Sequence, residues 1–209
     1  YDNQIDSEKT ETYDNIKFGT VITEYTNKTI EGYQLETVEN LPLTVGVNEE
    51  NNVIKVYYVI RKDLYYTVNY YEQGTETPII NSKEVGGNTY HSVITESPVD
   101  IEGYNKVNPD SQSITIQVNE EENVINFYYT KRTDLTYIVN YYEEGTQDKI
   151  ANSKIVENQT FKNVITENAI NVPGYYVQEP SEQTIEIGVG DNIINFYYQK
   201  RTDIKYRVE

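Results

Sequence analysis

The sequence has no cysteine, no methionine, no tryptophan and a single histidine, His91, in 209 residues. Without cysteine there are no disulfides, thiolate metal sites or cysteine nucleophile, and cysteine usage says nothing of redox compartment. With one histidine, a Ser-His-Asp arrangement can occur at most once. Basic residues are scarce too: 17 Lys and Arg stand against 34 Asp and Glu, a formal net charge of -17. That charge repels phosphate backbones and anionic lipid, so neither nucleic acid nor a membrane surface is an expected partner. No apolar run approaches the ~20 residues of a bilayer-spanning helix. No charged-then-apolar leader opens at Tyr1, so the sequence reads as an internal piece of something longer.

What is abundant is tyrosine, 22 residues beside only four phenylalanines. A tyrosine ring supplies large apolar area with a hydroxyl that can stay wet, which suits sheets with one face near solvent. The tyrosines also mark a repeat. Tyr66, Tyr137 and Tyr206 recur 71 and 69 residues apart, "VITE" recurs at Val21, Val93 and Val164, and Gly-Tyr recurs at Gly32-Tyr33, Gly103-Tyr104 and Gly174-Tyr175. A period near 70 residues means small domains in series. The boundaries fall at 1–62 for a partial repeat lacking its first strand, 63–133 and 134–203 for two complete repeats, and 204–209 for the start of a further first strand.

Within a repeat the apolar period is two. Ile114, Ile116 and Val118 alternate with Thr115 and Gln117, as do Leu43, Val45 and Val47 and Ile185, Ile187 and Val189, so each run is a half-buried strand. After the Asn and Glu turn at 119–123, "VINFYY" puts Ile125, Phe127 and Tyr129 on one face and Val124, Asn126 and Tyr128 on the other, which reads as a hairpin with the preceding strand. "YTVNYYE" from Tyr66 leads through a Gly-containing turn into "IINSKEV", a second strand pair. Between the pairs Tyr90, Val93 and Ile94 at i, i+3 and i+4 suit one or two helical turns ending at Pro98. Two hairpins around a short helical crossover predict a β-rich α+β fold of tandem β-grasp-like repeats; the alternative is an all-β sandwich in each repeat. The joints "TKRTDLTY" and "QKRTDIKY" lack Gly and Pro, which predicts stiff, extended connections and a rod of linked domains.

The order of an aromatic-rich first strand, the turns "YYEQGT" and "YYEEGT", "GGNTY", a Gly-Tyr pair and a closing "NFYY" resembles the MucBP (mucin-binding protein) repeats of Gram-positive cell-surface adhesins. The resemblance covers nearly all of the second and third repeats and the first from about Ile16; the third has Glu157-Asn158 in place of Gly86-Gly87. It implies an extracellular protein anchored to a cell wall, binding host mucin or other glycoproteins or holding a binding tip away from the wall. It supplies no catalytic residue.

Candidate chemistry follows from the residues themselves. Tyr70, Tyr71, Tyr128, Tyr141, Tyr142 and Tyr197, if exposed, can stack on sugar rings; the competing reading is that they pack across strands and shield the sheet. The acidic turns "NEEN", "NEEEN" and "GDN" offer oxygens to calcium but lack EF-hand spacing, and the third has lost its glutamates, so a solvated hairpin tip is the favoured reading. No cofactor is otherwise expected. His91 aligns with Gly19 and Lys162, so it reads as a surface imidazole. Lys83 and Lys154 are candidates for an isopeptide crosslink to a buried Asn or Asp. No carboxylate pair stands out as a glycosidase would need, so no enzyme activity is expected. Finally, "IKYRVE" at the C-terminus matches the strand that the first repeat lacks. A longer array cut between registers, an offset structural unit, and self-association by strand addition between molecules each explain this.

Overall fold

The computed structural model describes residues 6–209. The period-two runs form strands throughout. In the first repeat these are β1 (Val21–Ile22), β2 (Tyr33–Glu39), β3 (Leu43–Thr44) and β4 (Lys55–Ile60). The second has β5 (Leu64–Glu72), β6 (Lys83–Asn88), β7 (Val93–Glu96), β8 (Tyr104–Lys106), β9 (Gln112–Thr115) and β10 (Val124–Lys131). The third repeats that series as β11 (Leu135–Glu143), β12 (Lys154–Gln159), β13 (Val164–Asn168), β14 (Tyr175–Val177), β15 (Glu182–Glu186) and β16 (Asn192–Lys200). The fold is β-rich as expected, in several small sheets with no closed barrel.

The third repeat shows how the pattern builds a core. Its main sheet has the order β12-β11-β16-β14, with β11 and β16 parallel from Tyr137↔Asn192 to Glu143↔Tyr198. A parallel pair cannot be closed by a tight turn, so β12 to β15 make up the crossover. Leu135, Tyr137, Val139 and Tyr141 of β11 and Ile194, Phe196 and Tyr198 of β16 point to one face, and the antiparallel pair β13·β15 lays Ile165 and Ile185 against it. The Tyr141 ring stacks on Phe196 at 6.2 Å. Tyr198 is fully enclosed, and its hydroxyl donates to the Ile170 carbonyl at 2.9 Å, which removes the cost of burying it. Tyr129 makes the same bond to Val99 at 2.9 Å, and Tyr58 to Lys28 at 2.8 Å. Burial pushes the Tyr129 hydroxyl up to about 12, so it stays protonated and donating.

The second repeat has the same strand order, β6-β5-β10-β8. Among the described residues the first has the two-stranded sheets β2·β4 and β1·β3, and every buried apolar side chain belongs to the second or third repeat. Among the described residues β4 pairs only with β2, and Ile54, Val56 and Tyr58 are half-buried.

The chain divides into two compact units. One holds the described residues up to Tyr66 with Glu84–Ile94 and Ile114–Asn123; the other holds Thr67–Lys83, Thr95–Ser113 and Val124–Glu209. The division passes through the second repeat, so each joint between repeats lies within one unit. In the second unit the Arg132 N–H donates to the Gly103 carbonyl and the Phe161 N–H to the Arg132 carbonyl, both at 2.9 Å, and the Arg132 guanidinium grips Asp134 through two bonds of 2.9 Å. In the first unit Arg61 bonds Gly32 and Tyr90 in the same way, at 2.9 and 3.0 Å.

Two local expectations are corrected. The segment expected to be helical before Pro98 is strand β7, and its third-repeat counterpart is β13. Val93, Ile94 and Thr95 are β-branched, their exposure alternates, and a partner strand was available in β9. His91 at φ 61° also interrupts any helix at its start. Second, β9 and β10 are not a hairpin: β9 pairs with β7, while β10 joins the main sheet. A single 3-10 turn at Glu120–Glu122 intervenes, and the buried Asn123 side chain ties that turn to Gln117 through both its oxygen and its nitrogen, at 2.8 and 2.9 Å. The chain therefore changes layers where a two-residue turn would have kept it in one.

Candidate ligand-binding face

The residues of β11 and β16 that point away from the core face each other in register: Ile138 with Ile193, Asn140 with Asn195, Tyr142 with Tyr197. The Asn140 amide donates to the Asn195 side-chain oxygen at 3.0 Å, and the Ser153 hydroxyl donates to the Asn140 oxygen at 2.7 Å. Lys149 in turn donates to Ser153 at 2.7 Å and stands 5.9 Å from the centre of the Tyr142 ring. The Tyr142 and Tyr197 rings lie stacked with centroids 6.1 Å apart. The second repeat carries the asparagines, the serine and the tyrosine pair within the second unit, with Pro78 at the place of Lys149. There Asn69 bonds Asn126 at 2.9 Å, Ser82 bonds Asn69 at 2.6 Å, and Tyr71 and Tyr128 are 6.1 Å apart. Each face is a pair of half-exposed rings, inclined by 37° in the second repeat and 29° in the third, beside a ladder of side-chain amides, a surface that offers apolar stacking and hydrogen bonding together.

Four of the six expected tyrosines therefore lie on this face: Tyr71, Tyr128, Tyr142 and Tyr197, the last 43% exposed. Tyr70 and Tyr141 are corrected to core residues, 4% and 2% exposed. Each shares strand parity with an enclosed valine, Val68 or Val139, so alternation turns it inward. Burial holds both hydroxyls above the ordinary tyrosine range. The asparagine ladder was not anticipated. Its signal was present in the recurrence of Asn between apolar residues in "TVNYY", "VINFYY", "IVNYY" and "IINFYY". At the start of the same face a recess of about 300 Å³ is lined by Thr136, Ile138, Val189, Asp191 and Ile193.

The remaining candidates resolve differently. Lys154 lies 2.6 Å from Glu167, which also accepts from the Tyr137 hydroxyl at 2.5 Å, and Lys83 lies 2.5 Å from Glu96. An isopeptide bond needs Asn or Asp opposite the lysine; both lysines face glutamate instead. Burial opposes the charge on Glu167, but the bonds from Lys154 and Tyr137 outweigh it and hold the carboxyl below its usual range. In the acidic turns Asn48 and Asn119 accept from Glu50 and Glu121 backbone N–H groups. Among the described residues no three acidic or histidine side chains converge as a metal site would require. His91 is exposed and stacks on Tyr90 with centroids 3.8 Å apart.

No family model and no curated protein matches the chain. Among solved structures, a crystal structure of Mub-RV aligns with 66% of this chain and 99% of its own, at 13% identity and a TM-score of 0.25. The functional reading accordingly rests on the chain's own residues. Among the described residues no helix is long and apolar enough to cross a membrane.

Proposed function

We propose that this chain is a non-catalytic repeat region of a Gram-positive cell-surface adhesin, outside the cell and anchored to the wall, that engages mucin-type or other glycoprotein glycans. The resemblance to MucBP repeats motivates the class. The single observation that carries the binding role is the recurrence of one surface in both complete repeats: a half-exposed tyrosine pair beside an Asn-Asn-Ser hydrogen-bond ladder, built twice from equivalent positions. Weak sites at two positions sum by avidity on a multivalent ligand such as mucin. The chain's formal net charge of -17 disfavours anionic polymers and makes neutral sugars the favoured class among those glycans.

Binding of the 209-residue chain to a glycan array and to immobilised mucin tests this, with an equally acidic control protein. Saturable, sugar-competed binding is expected, weakened about tenfold by Tyr142→Ala together with Tyr197→Ala. Absence of binding removes the adhesive role. It leaves the second reading, a structural stalk, which is favoured by the backbone bonds that Arg61 and Arg132 make on both sides of each joint.

A further inference from the structure

The two complete repeats share the tyrosine pair and the asparagine ladder, but the third departs from the second at one end of that face. Ile155, Ile138 and Ile193 stand side by side across β12, β11 and β16, in register. The matching places in the second repeat hold Glu84, Thr67 and Val124. Ile155 and Ile193 are 62% and 45% exposed, so the third repeat turns an apolar row outward where the second has a carboxylate and a hydroxyl. Neighbouring strands lie about 4.8 Å apart, which makes the row about 10 Å long.

The turn beside this row differs as well. In all three repeats an asparagine side chain closes the turn on the backbone: Asn52 on Gly46, Asn123 on Gln117 and Asn192 on Gly188. Six residues separate Val45 from Asn52 and Ile116 from Asn123, yet four separate Ile187 from Asn192. The longer turns hold the 3-10 turns Glu49–Asn51 and Glu120–Glu122. From the shorter turn Val189 and Asp191 line the recess of about 300 Å³, together with Ile138 and Ile193. Along the strands the isoleucine row is followed by Asn140 with Asn195 and then by Tyr142 with Tyr197. Each step is two residues, about 7 Å. The Asn195 side-chain oxygen accepts from Asn140, while its amide nitrogen has no partner among the described residues and remains a donor.

We propose that the outer face of the third repeat is a subsite for neutral sugars bearing an acetamido group, which rests on the sugar-binding reading above. One ring stacks on the tyrosine pair, and the acetamido group of a neighbouring ring enters the recess. A sugar hydroxyl set against isoleucine would lose water without gaining a partner. An acetamido group meets both features, since its methyl suits the isoleucine-lined recess and its carbonyl accepts from the Asn195 amide. A charged substituent is opposed there. Asp134 and Asp191 border the recess, and the Arg132 guanidinium beside them is held by Asp134 through two bonds of 2.9 Å. With Glu84 and Thr67 at the matching places, the second repeat keeps the stacking pair without this subsite, so the two repeats are not equivalent.

Titration of the 209-residue chain with tri-N-acetylchitotriose and with cellotriose, followed by NMR, tests this. The two trisaccharides share rings and linkage and differ only at the second carbon of each ring, acetamido against hydroxyl. The acetylated sugar is expected to bind about tenfold more tightly, the combined effect of one buried methyl group and one hydrogen bond. It should shift the methyl resonances of Ile138, Ile155 and Ile193, and cellotriose should not. A variant combining Ile138→Thr, Ile155→Glu and Ile193→Val carries residues the second repeat itself uses at those places, and in it the preference should vanish. Its amide spectrum verifies the fold, and the wild-type methyl map decides without it. Equal binding of the two sugars, shifts confined to other residues, or a preference that survives in the folded variant overturns the proposal and leaves the adhesive role standing. Binding of other glycans with neither trisaccharide bound does the same, whereas absence of binding to every glycan removes both.

Discussion

The side-chain amide of Asn123 donates to the backbone carbonyl of Tyr65, 58 residues earlier in the chain, at 3.0 Å. The same side chain holds both the N–H and the carbonyl of Gln117, so one fully buried residue clamps a turn and anchors the central strand. Replacing it strands three backbone groups at once. Asn123→Ala is expected to lower stability by about 2 kcal/mol in urea unfolding, and Asn52→Ala by clearly less, since Asn52 clamps its turn alone.

The Glu167 cluster predicts an acid-sensitive contribution. Its carboxyl is held below the ordinary glutamate range, so the folded state favours the charged form. That contribution is complete above the unfolded glutamate value and is lost as pH falls through the lower folded value. The stability gap between wild type and Glu167→Gln should therefore be constant near neutrality and close in mild acid. Lys154, raised by its bond to Glu167, gives the opposite limb: its contribution is complete below the ordinary lysine value and fades as pH rises through the folded one. Urea midpoints measured across pH check both signs.

Comparison of two glycines isolates the joint. Gly103 and Gly174 have nearly the same φ, 80° and 86°, so alanine costs each about 1 kcal/mol of backbone strain. Only at Gly103 does the new methyl also collide with Phe161. Gly103→Ala should destabilise by roughly 1–3 kcal/mol more than Gly174→Ala in thermal unfolding of dilute protein, the usual cost of overpacking.

Gly86 and Glu157 occupy the same place in successive repeats, and their neighbours change with them. A Cβ on Gly86 would stand 2.5 Å from the Tyr65 ring, whereas the third repeat has Thr136 at the position of Tyr65. A double-mutant cycle should show Gly86→Glu destabilising by about 1 kcal/mol and Tyr65→Thr restoring most of that loss. The next residue in each pair explains itself: Gly87 and Asn158 both take positive φ, 78° and 58°, which asparagine tolerates better than other side chains.

Much of this molecule was legible in the residue order. The repeat, its period, the strands and the inward set Ile125, Phe127 and Tyr129 follow from alternation, because strand geometry ties parity to face without reference to distant residues. The same rule applied to Val68 and Val139 turns Tyr70 and Tyr141 into the core, where the structure places them.

What alternation does not carry is partnership. Whether β9 closes a hairpin with β10 or crosses to β7, whether β5 and β10 run parallel, and which glycine lies under which ring all depend on residues brought together from far along the chain. Val93, Ile94 and Thr95 fit one helical turn or a short strand equally well by spacing; the β9 edge beside them decided for strand. Local sequence determined what each segment presents and to which side. The tertiary structure determined what meets it, because pairing energy belongs to two surfaces and neither one contains it alone.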